Sequence, residues 1–119
     1  MQYEFSQIKV LVVGDIMLDR YWFGQSNRVS PEAPVPVVHH CRTVDLPGGA
    51  ANVAANVVAL GAPCQLLGFV ADDEAGQSLS IALRRHDIDA HLIQPKLTDT
   101  HMKLRIYSHQ HPMLRVDFP

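Results

Sequence analysis

The sequence Pro-Gly-Gly-Ala-Ala-Asn-Val-Ala-Ala-Asn-Val-Val-Ala-Leu-Gly occupies residues 47–61, and it decides the fold of this chain. Its small and apolar residues recur at helical spacing, which predicts a helix from about Gly49 to Leu60. Gly61 is well placed to end that helix, because glycine readily adopts the backbone conformation that follows a helix C-terminus. The apolar stripe of the helix is expected on Ala50, Val53, Ala54, Val57 and Val58.

The start of this predicted helix is a candidate ligand site. Free N–H groups and the positive end of the helix dipole favour oxygen-rich or anionic groups there. Gly48 and Gly49 leave the backbone accessible, and Asn52 is the first polar side chain inside the helix. The alternative is that the glycines allow close packing between the helix and a strand. The glycine pair alone does not decide between the two.

A second helix and three apolar runs complete the central region. Asp72, Asp73 and Glu74 supply a cap and an acidic first turn for a helix that continues to about His86. The three apolar runs predict strands of a parallel sheet, the first of them buried on both faces: residues 8–14, 66–70 and 90–93. Strands that alternate with helices predict a parallel α/β layer.

The remaining predicted strands mix polar and apolar residues. Residues 19–23 and 35–42 have a β-forming composition but carry polar side chains. Residues 103–108 and 113–118 alternate between polar and apolar and are joined by the turn-length link 109–112, which predicts a β-hairpin with one wet face. We therefore expect a separate antiparallel flap over an edge of the parallel layer.

The composition excludes several classes of function. The chain has 119 residues, of which 47% are hydrophobic and 18% charged, and its formal net charge is −2. Such a balance gives no basic surface for nucleic acid or an anionic membrane, so we expect neither partner. The sequence has no recognisable signal peptide and no apolar run long enough to span a bilayer. Cys41 and Cys64 fit no metal-ligand spacing, which favours free thiols, a cytoplasmic location and no metal site.

Two acidic residues follow the first predicted strand. Asp15 and Asp19 come soon after residues 8–14, at the end where open parallel sheets bind their ligands. A carboxylate at this place can accept hydrogen bonds from sugar hydroxyls. The alternative is that Asp15 caps a turn and Asp19 is a solvated surface acid. For either residue alone, the pattern favours this alternative.

The segment 47–61 resembles the N-terminal signature of the ribokinase-like, or PfkB, carbohydrate kinases. A closer resemblance, to the heptose 7-phosphate kinases within that family, rests on three further strings. They are Gly-Asp-Ile-Met-Leu-Asp-Arg-Tyr-Trp at 14–22, Arg-Val-Ser-Pro-Glu-Ala-Pro-Val-Pro-Val-Val at 28–38 and Lys-Leu-Arg at 103–105. The second string is far more specific than the glycines, and the resemblance covers nearly the whole chain. Such kinases are the kinase part of the bifunctional ADP-heptose synthesis protein of Gram-negative bacteria.

This resemblance implies a Rossmann-like α/β fold with a small antiparallel β lid over the sugar site. Residues 1–119 are then the N-terminal part of a single ribokinase-like kinase domain. Its core is expected at 7–14 and 47–95, and its lid strands at about 19–44 and 101–118. The resemblance also implies a homodimer contact through the lid, a sugar phosphate substrate, and ATP and Mg²⁺ as cofactors.

The resemblance further assigns candidate substrate-binding residues. Asp19 matches the acid that binds sugar hydroxyls. The helix start that faces the sugar is matched by Gly48, Gly49 and Asn52. Further sugar or phosphate contacts are implied at four positions, Asp15, Arg28, Lys103 and Arg105. Guanidinium and ammonium groups suit a phosphate, but the solvated face of the hairpin is the slightly favoured alternative for Lys103 and Arg105.

Two features depart from the family pattern. Ala71 stands where the signature usually has glycine. Nothing in the chain resembles the Gly-Ala-Gly-Asp motif that carries the catalytic base, so we expect no catalytic residue here, a nucleotide site largely outside these residues, and no activity from this chain alone. The main hypothesis is ATP-dependent phosphorylation of heptose 7-phosphate at its anomeric hydroxyl, for lipopolysaccharide core synthesis. The alternatives are a non-catalytic sugar-phosphate-binding or structural fragment that is stable only as a dimer, and a kinase of ribose or fructose phosphate.

Overall fold

The computed structural model describes residues 3–96 and 98–119. These residues form two helices and seven strands, and the strands make two sheets. In chain order the elements are β1 (Val10–Val13), β2 (Ile16–Val29), β3 (Pro36–Gly49), α1 (Ala50–Ala59), β4 (Cys64–Phe69), α2 (Glu74–Arg85), β5 (Asp89–Ile93), β6 (Met102–Ser108) and β7 (His111–Phe118). One sheet has the strand order β1-β4-β5, and the other has the order β3-β2-β6-β7. The predicted fold class, a parallel α/β layer with a small β lid, is confirmed.

The three-stranded sheet is wholly parallel, and both helices pack on one of its faces. Leu66 of β4 lies at the centre of the core, where it meets Ala54 of α1 and Leu79 of α2. The prediction that the first strand is buried on both faces is wrong. Leu11 and Val13 point to the other face and are 59% and 65% exposed, because neither α1 nor α2 covers that side.

Helix α1 begins and ends within one residue of its predicted limits, but its buried face is rotated from the predicted stripe. Ala51 and Ala54 are fully buried, whereas Val53 is 51% exposed. At 100° per residue, Val53 lies about 200° around the helix from Ala51. The two polar residues of the helix, Asn52 and Asn56, lie about 40° apart on its exposed face and indicate the phase that the apolar residues alone did not. Gly61 has a φ of 97°, as a helix stop with glycine requires.

Helix α2 is held at its N-terminus by Asp73, as the sequence predicts. The Asp73 carboxylate accepts a hydrogen bond from the Gly76 amide at 2.8 Å, which caps the helix. It also accepts two hydrogen bonds from Thr100, one from the amide at 2.9 Å and one from the hydroxyl at 2.7 Å. Thr100 is buried and lies two residues before β6, so one carboxylate joins α2 to the segment that enters the lid.

The second sheet, here called the lid, grows directly out of the core. Strands β2 and β3 have 14 residues each and pair antiparallel, and Ile16 and Leu18 at the start of β2 are buried core residues. Strand β6 pairs parallel with β2 and antiparallel with β7, so the lid is a mixed sheet and not the wholly antiparallel one that was expected. The predicted hairpin is present, with a link of only His109 and Gln110. In the described part of the chain, neither helix is long and apolar enough to cross a membrane.

Candidate functional site

The candidate site lies where β2 leaves the core and where β3 turns into α1. Asp19 of β2 lies over Gly48 of β3 so closely that a Cβ atom on Gly48 would be 2.7 Å from Cγ of Asp19. Any larger residue at position 48 must displace that carboxylate. The structure therefore brings together Asp19 and the predicted glycine pair, and it explains the glycine at position 48 by this close approach.

Gly49 makes the sharp turn from β3 into the helix. Its φ is 58°, a left-handed conformation that strains other residues, and a Cβ there would lie 2.5 Å from the carbonyl oxygen of Asp15. That carbonyl accepts the amide of Ala50 at 2.8 Å, so the backbone of Asp15 is fixed to the first residue of α1. No side chain of the described residues caps α1. The helix start keeps backbone donors for a ligand.

Arg105 of β6 reaches the same place from the neighbouring strand. Its Nη1 atom lies 3.3 Å from Oδ1 of Asp19, an ion-pair contact between two side chains that are 26% and 21% exposed. This Nη1 atom is buried, and among residues 3–96 and 98–119 it has no hydrogen-bond partner. The guanidinium stands 5.3 Å from the ring centre of Tyr21. Nη1 therefore faces the Asp19 carboxylate and not the solvent, and a ligand oxygen can reach it only if one of these two side chains moves.

Lys103 lies on the same face of the lid as this pair, whereas Arg28 lies far from it. Lys103 is the register partner of Asp19 across β2 and β6, so both side chains are on one face of the lid. Asn52 is exposed on the first turn of α1. Arg28 is exposed nine residues beyond Asp19 on β2, which separates them by roughly 30 Å along the strand. Within one chain, the structure does not bring Arg28 to the site.

A cleft of about 400 Å³ opens next to the site, at the carboxyl ends of the parallel strands. Asp15 lies in this cleft and not beside the Asp19 carboxylate. The other lining residues include three polar side chains that the sequence analysis missed, Thr98, Asp99 and His101. Their position just after the third predicted strand of the parallel layer was the signal that could have found them.

Ala71 also lines the cleft and departs from the family signature without harm to the backbone. Among the described residues, positive φ angles outside glycine occur at Asp87 and His109 and not at Ala71. An alanine therefore fits position 71 without strain. In the same part of the chain, there is no group of three His, Cys, Asp or Glu side chains that could hold a metal ion.

Comparison with known proteins finds relatives by sequence and solved structures that share this fold. The sequence pattern of the "pfkB family carbohydrate kinase" matches residues 7–113. The chain is 51% identical over 115 residues to the bifunctional protein HldE of Haemophilus influenzae, and 53% identical over 114 residues to that of Pseudomonas fluorescens. These matches cover 97% and 96% of this chain but 24% of either relative, so the chain spans about a quarter of their length.

Solved structures with the same fold are sugar kinases by name. A carbohydrate kinase from Agrobacterium tumefaciens superposes with a TM-score of 0.73 at 19% identity, over 92% of this chain and 35% of that one. Phosphofructokinase-2 from Escherichia coli, in complex with fructose-6-phosphate, superposes with a TM-score of 0.66 at 19% identity, over 97% of this chain and 35% of that one. From the match over residues 7–113 and these relatives, the chain belongs to the pfkB family of carbohydrate kinases.

Proposed function

We propose that the protein, at its full natural length, transfers a phosphoryl group from ATP to the anomeric hydroxyl of heptose 7-phosphate. The observation that carries the proposal is the pair of Asp19 and Arg105 beside Gly48 at the start of α1. The resemblance of residues 14–22 and 28–38 to heptose 7-phosphate kinases supports this substrate among the sugars that the family phosphorylates. We further propose that the reaction takes place in the cytoplasm and supplies ADP-heptose for the lipopolysaccharide core.

The charges of the site suit a sugar that carries both hydroxyls and a phosphate. The Asp19 carboxylate is an acceptor only, so it can orient neighbouring hydroxyls of the sugar. The guanidinium of Arg105 and the ammonium of Lys103 are donors with a positive charge, which suits phosphate oxygens. The amides at the start of α1 add further donors. A sugar without a phosphate uses only part of this set.

We further propose that the sites for ATP and Mg²⁺ lie largely outside the residues described here. Mg²⁺ in such enzymes is usually held by one or two carboxylates together with phosphates of the substrate, and the described residues contain no ready cluster of metal ligands. The role that we propose for this chain is therefore to bind and orient the sugar phosphate. The phosphoryl donor and the catalytic base are assigned to other parts of the protein.

A coupled assay of ADP release tests the proposed function. With the purified protein at its full natural length, we expect kcat/KM for heptose 7-phosphate to exceed that for fructose 6-phosphate and ribose 5-phosphate by about 10²-fold or more. The 119-residue chain alone is the matched control and is expected to give only background release. Equal or faster turnover of either competing sugar phosphate contradicts the proposed substrate.

We also propose that two copies associate through the lid. Trp22, Ile106 and Leu114 are register neighbours across β2, β6 and β7, and Trp22 and Leu114 are 38% and 60% exposed. An exposed apolar row across three strands favours contact with another chain. In sedimentation velocity, we expect the parent protein to sediment as a dimer and the Trp22→Glu variant as a monomer. A parent protein that is monomeric at about 50 µM, well above the Kd of a specific dimer, contradicts the proposal.

A further inference from the structure

Arg20 is the neighbour of Asp19 on β2, but its side chain points to the opposite face of the lid. Its Nε and Nη2 atoms donate to the two carboxylate oxygens of Asp45 on β3, at 2.8 and 3.0 Å. Its Nη1 and Nη2 atoms donate to the carboxylate of Glu74, at 3.0 and 2.8 Å. Glu74 is the first residue of α2. One guanidinium thus joins β2, β3 and α2.

The two arms of this contact differ in burial. The side chains of Arg20 and Asp45 are 12% and 23% exposed, whereas that of Glu74 is 71% exposed. A bidentate pair that is mostly shielded from water is stronger and better oriented than an exposed one. We therefore expect Asp45 to fix the guanidinium on the lid, and Glu74 to complete the link to the helix.

The N-terminus of α2 holds both strands that build the site. It binds β2 through the contact of Glu74 with Arg20, and it binds Thr100, two residues before β6, through Asp73. Strand β2 carries Asp19, and β6 carries Arg105. The 3.3 Å contact between these two side chains therefore depends on two strands that share one anchor.

We propose that Arg20 is a positioning residue for the sugar site. By fixing β2 on α2, it sets where the Asp19 carboxylate lies relative to Gly48 and Arg105. The proposal rests on the proposed function, since Asp19 is taken to contact the sugar. A displacement of about 1 Å in a substrate-positioning group can cost about 100-fold in rate, so a loosened β2 strand affects sugar binding without any change in the sugar contacts themselves.

The test uses Arg20→Met and Arg20→Lys in the protein at its full natural length. Arg20→Met removes both the charge and the paired N–H donors of the guanidinium. Arg20→Lys keeps the charge but cannot form the bidentate hydrogen bonds. We expect the KM for heptose 7-phosphate to rise about tenfold or more in Arg20→Met, with the KM for ATP within about twofold of the parent. Arg20→Lys is expected to recover only part of the loss. Arg84→Met, on the exposed side of α2, is the matched control and is expected to leave both constants unchanged.

Two kinetic results overturn the proposal. One is a KM for heptose 7-phosphate within about twofold of the parent in Arg20→Met. The other is a parallel change of both KM values together with a lower Tm, which is what a merely structural role produces. Asp45→Asn is expected to resemble Arg20→Met, and Glu74→Gln to have the smaller effect, because Glu74 is the exposed arm.

Hydrogen–deuterium exchange separates this proposal from the identity of the substrate. In Arg20→Met we expect the amides of residues 16–23 and 102–106 to exchange about tenfold faster, with those of α1 unchanged. Unchanged exchange in these two segments overturns the positioning role even in an active enzyme. A parent protein that does not phosphorylate heptose 7-phosphate contradicts the proposed function, while the exchange measurement still decides whether Arg20 holds the strand of Asp19.

Discussion

Replacing Asp19 by Asn in the protein at its full natural length is expected to lower kcat/KM for heptose 7-phosphate by about 10²–10³-fold. Asn keeps the shape of the side chain above Gly48 but removes the negative charge that lies 3.3 Å from Arg105. A hydrogen bond to a charged group contributes about 1.5–3 kcal/mol, and we propose that this carboxylate accepts two from the sugar, which together contribute about 3–6 kcal/mol. Because the amide oxygen of Asn still accepts one neutral hydrogen bond, we expect a loss of about 3–4 kcal/mol. Steady-state kinetics with heptose 7-phosphate measure the effect.

The control for this substitution is Asp89→Asn. Asp89 is exposed and is the first residue of β5. It lies at the N-terminal end of the parallel strands, whereas the cleft lies at their carboxyl ends. Its kcat/KM is expected to stay within about twofold of the parent. If Asp19→Asn also stays within about threefold, the carboxylate does not hold the sugar, and the site must be sought around Asp15 and His101 in the cleft.

Replacing Asp73 by Ala is expected to lower the free energy of unfolding by about 2–4 kcal/mol. The change removes the cap of α2 and leaves the amide of buried Thr100 without its acceptor, while the Thr100 hydroxyl keeps only the carbonyl oxygen of Ala71, at 3.4 Å. A lost cap costs about 1 kcal/mol, and each buried unpaired group costs about 1–3 kcal/mol. Urea denaturation of the parent and of Asp73→Ala measures the difference in their free energies of unfolding. Asp72→Ala, one residue earlier and exposed, is the matched control and should change the value by no more than about 0.5 kcal/mol.

The same carboxylate makes stability depend on pH. Burial raises the pKa of Asp73, but hydrogen bonds from Thr100 and Gly76 outweigh burial and hold it below its usual range. A depressed pKa in the folded state contributes stability that is present above the unfolded pKa of about 3.9 and is lost as pH falls through the folded pKa. The parent is therefore expected to lose more stability than Asp73→Ala between about pH 5 and 2. Equal losses in the two proteins would show that Asp73 is not the group responsible.

The elements of the fold were predictable because their signals are local. The cap at Asp73, the stop at Gly61 and the alternation in residues 103–108 each act within a few positions of the chain. The rotation of α1 was missed because the prediction used its apolar positions alone, whereas Asn52 and Asn56 lie about 40° apart on the exposed face, opposite the buried Ala54. An apolar strand such as β1 likewise does not reveal whether one face or two are covered.

The site was predictable in part, and by a different route. The close approach of Asp19 to Gly48 gives a physical reason for residues that the family resemblance had already selected. The contacts of Arg20 with Glu74 and of Thr100 with Asp73 were not foreseen, because the partners are 54 and 27 positions apart in the chain. Such contacts depend on how the lid sits on the core, which no local pattern records.

The irregular pairing of β2 and β3 gives the lid a stiff base and a separate tip. The pairing is regular from Ile16 to Phe23 and shifts register between Phe23 and Gly24 and again before Arg28. Bulges of this kind bend a strand locally. A 10° bend that starts at Gly24 moves Val29, about 17 Å further along, by about 3 Å and leaves Asp19 where it is. The tip can therefore adjust to a ligand or a second chain while the end that carries Asp19 keeps its alignment.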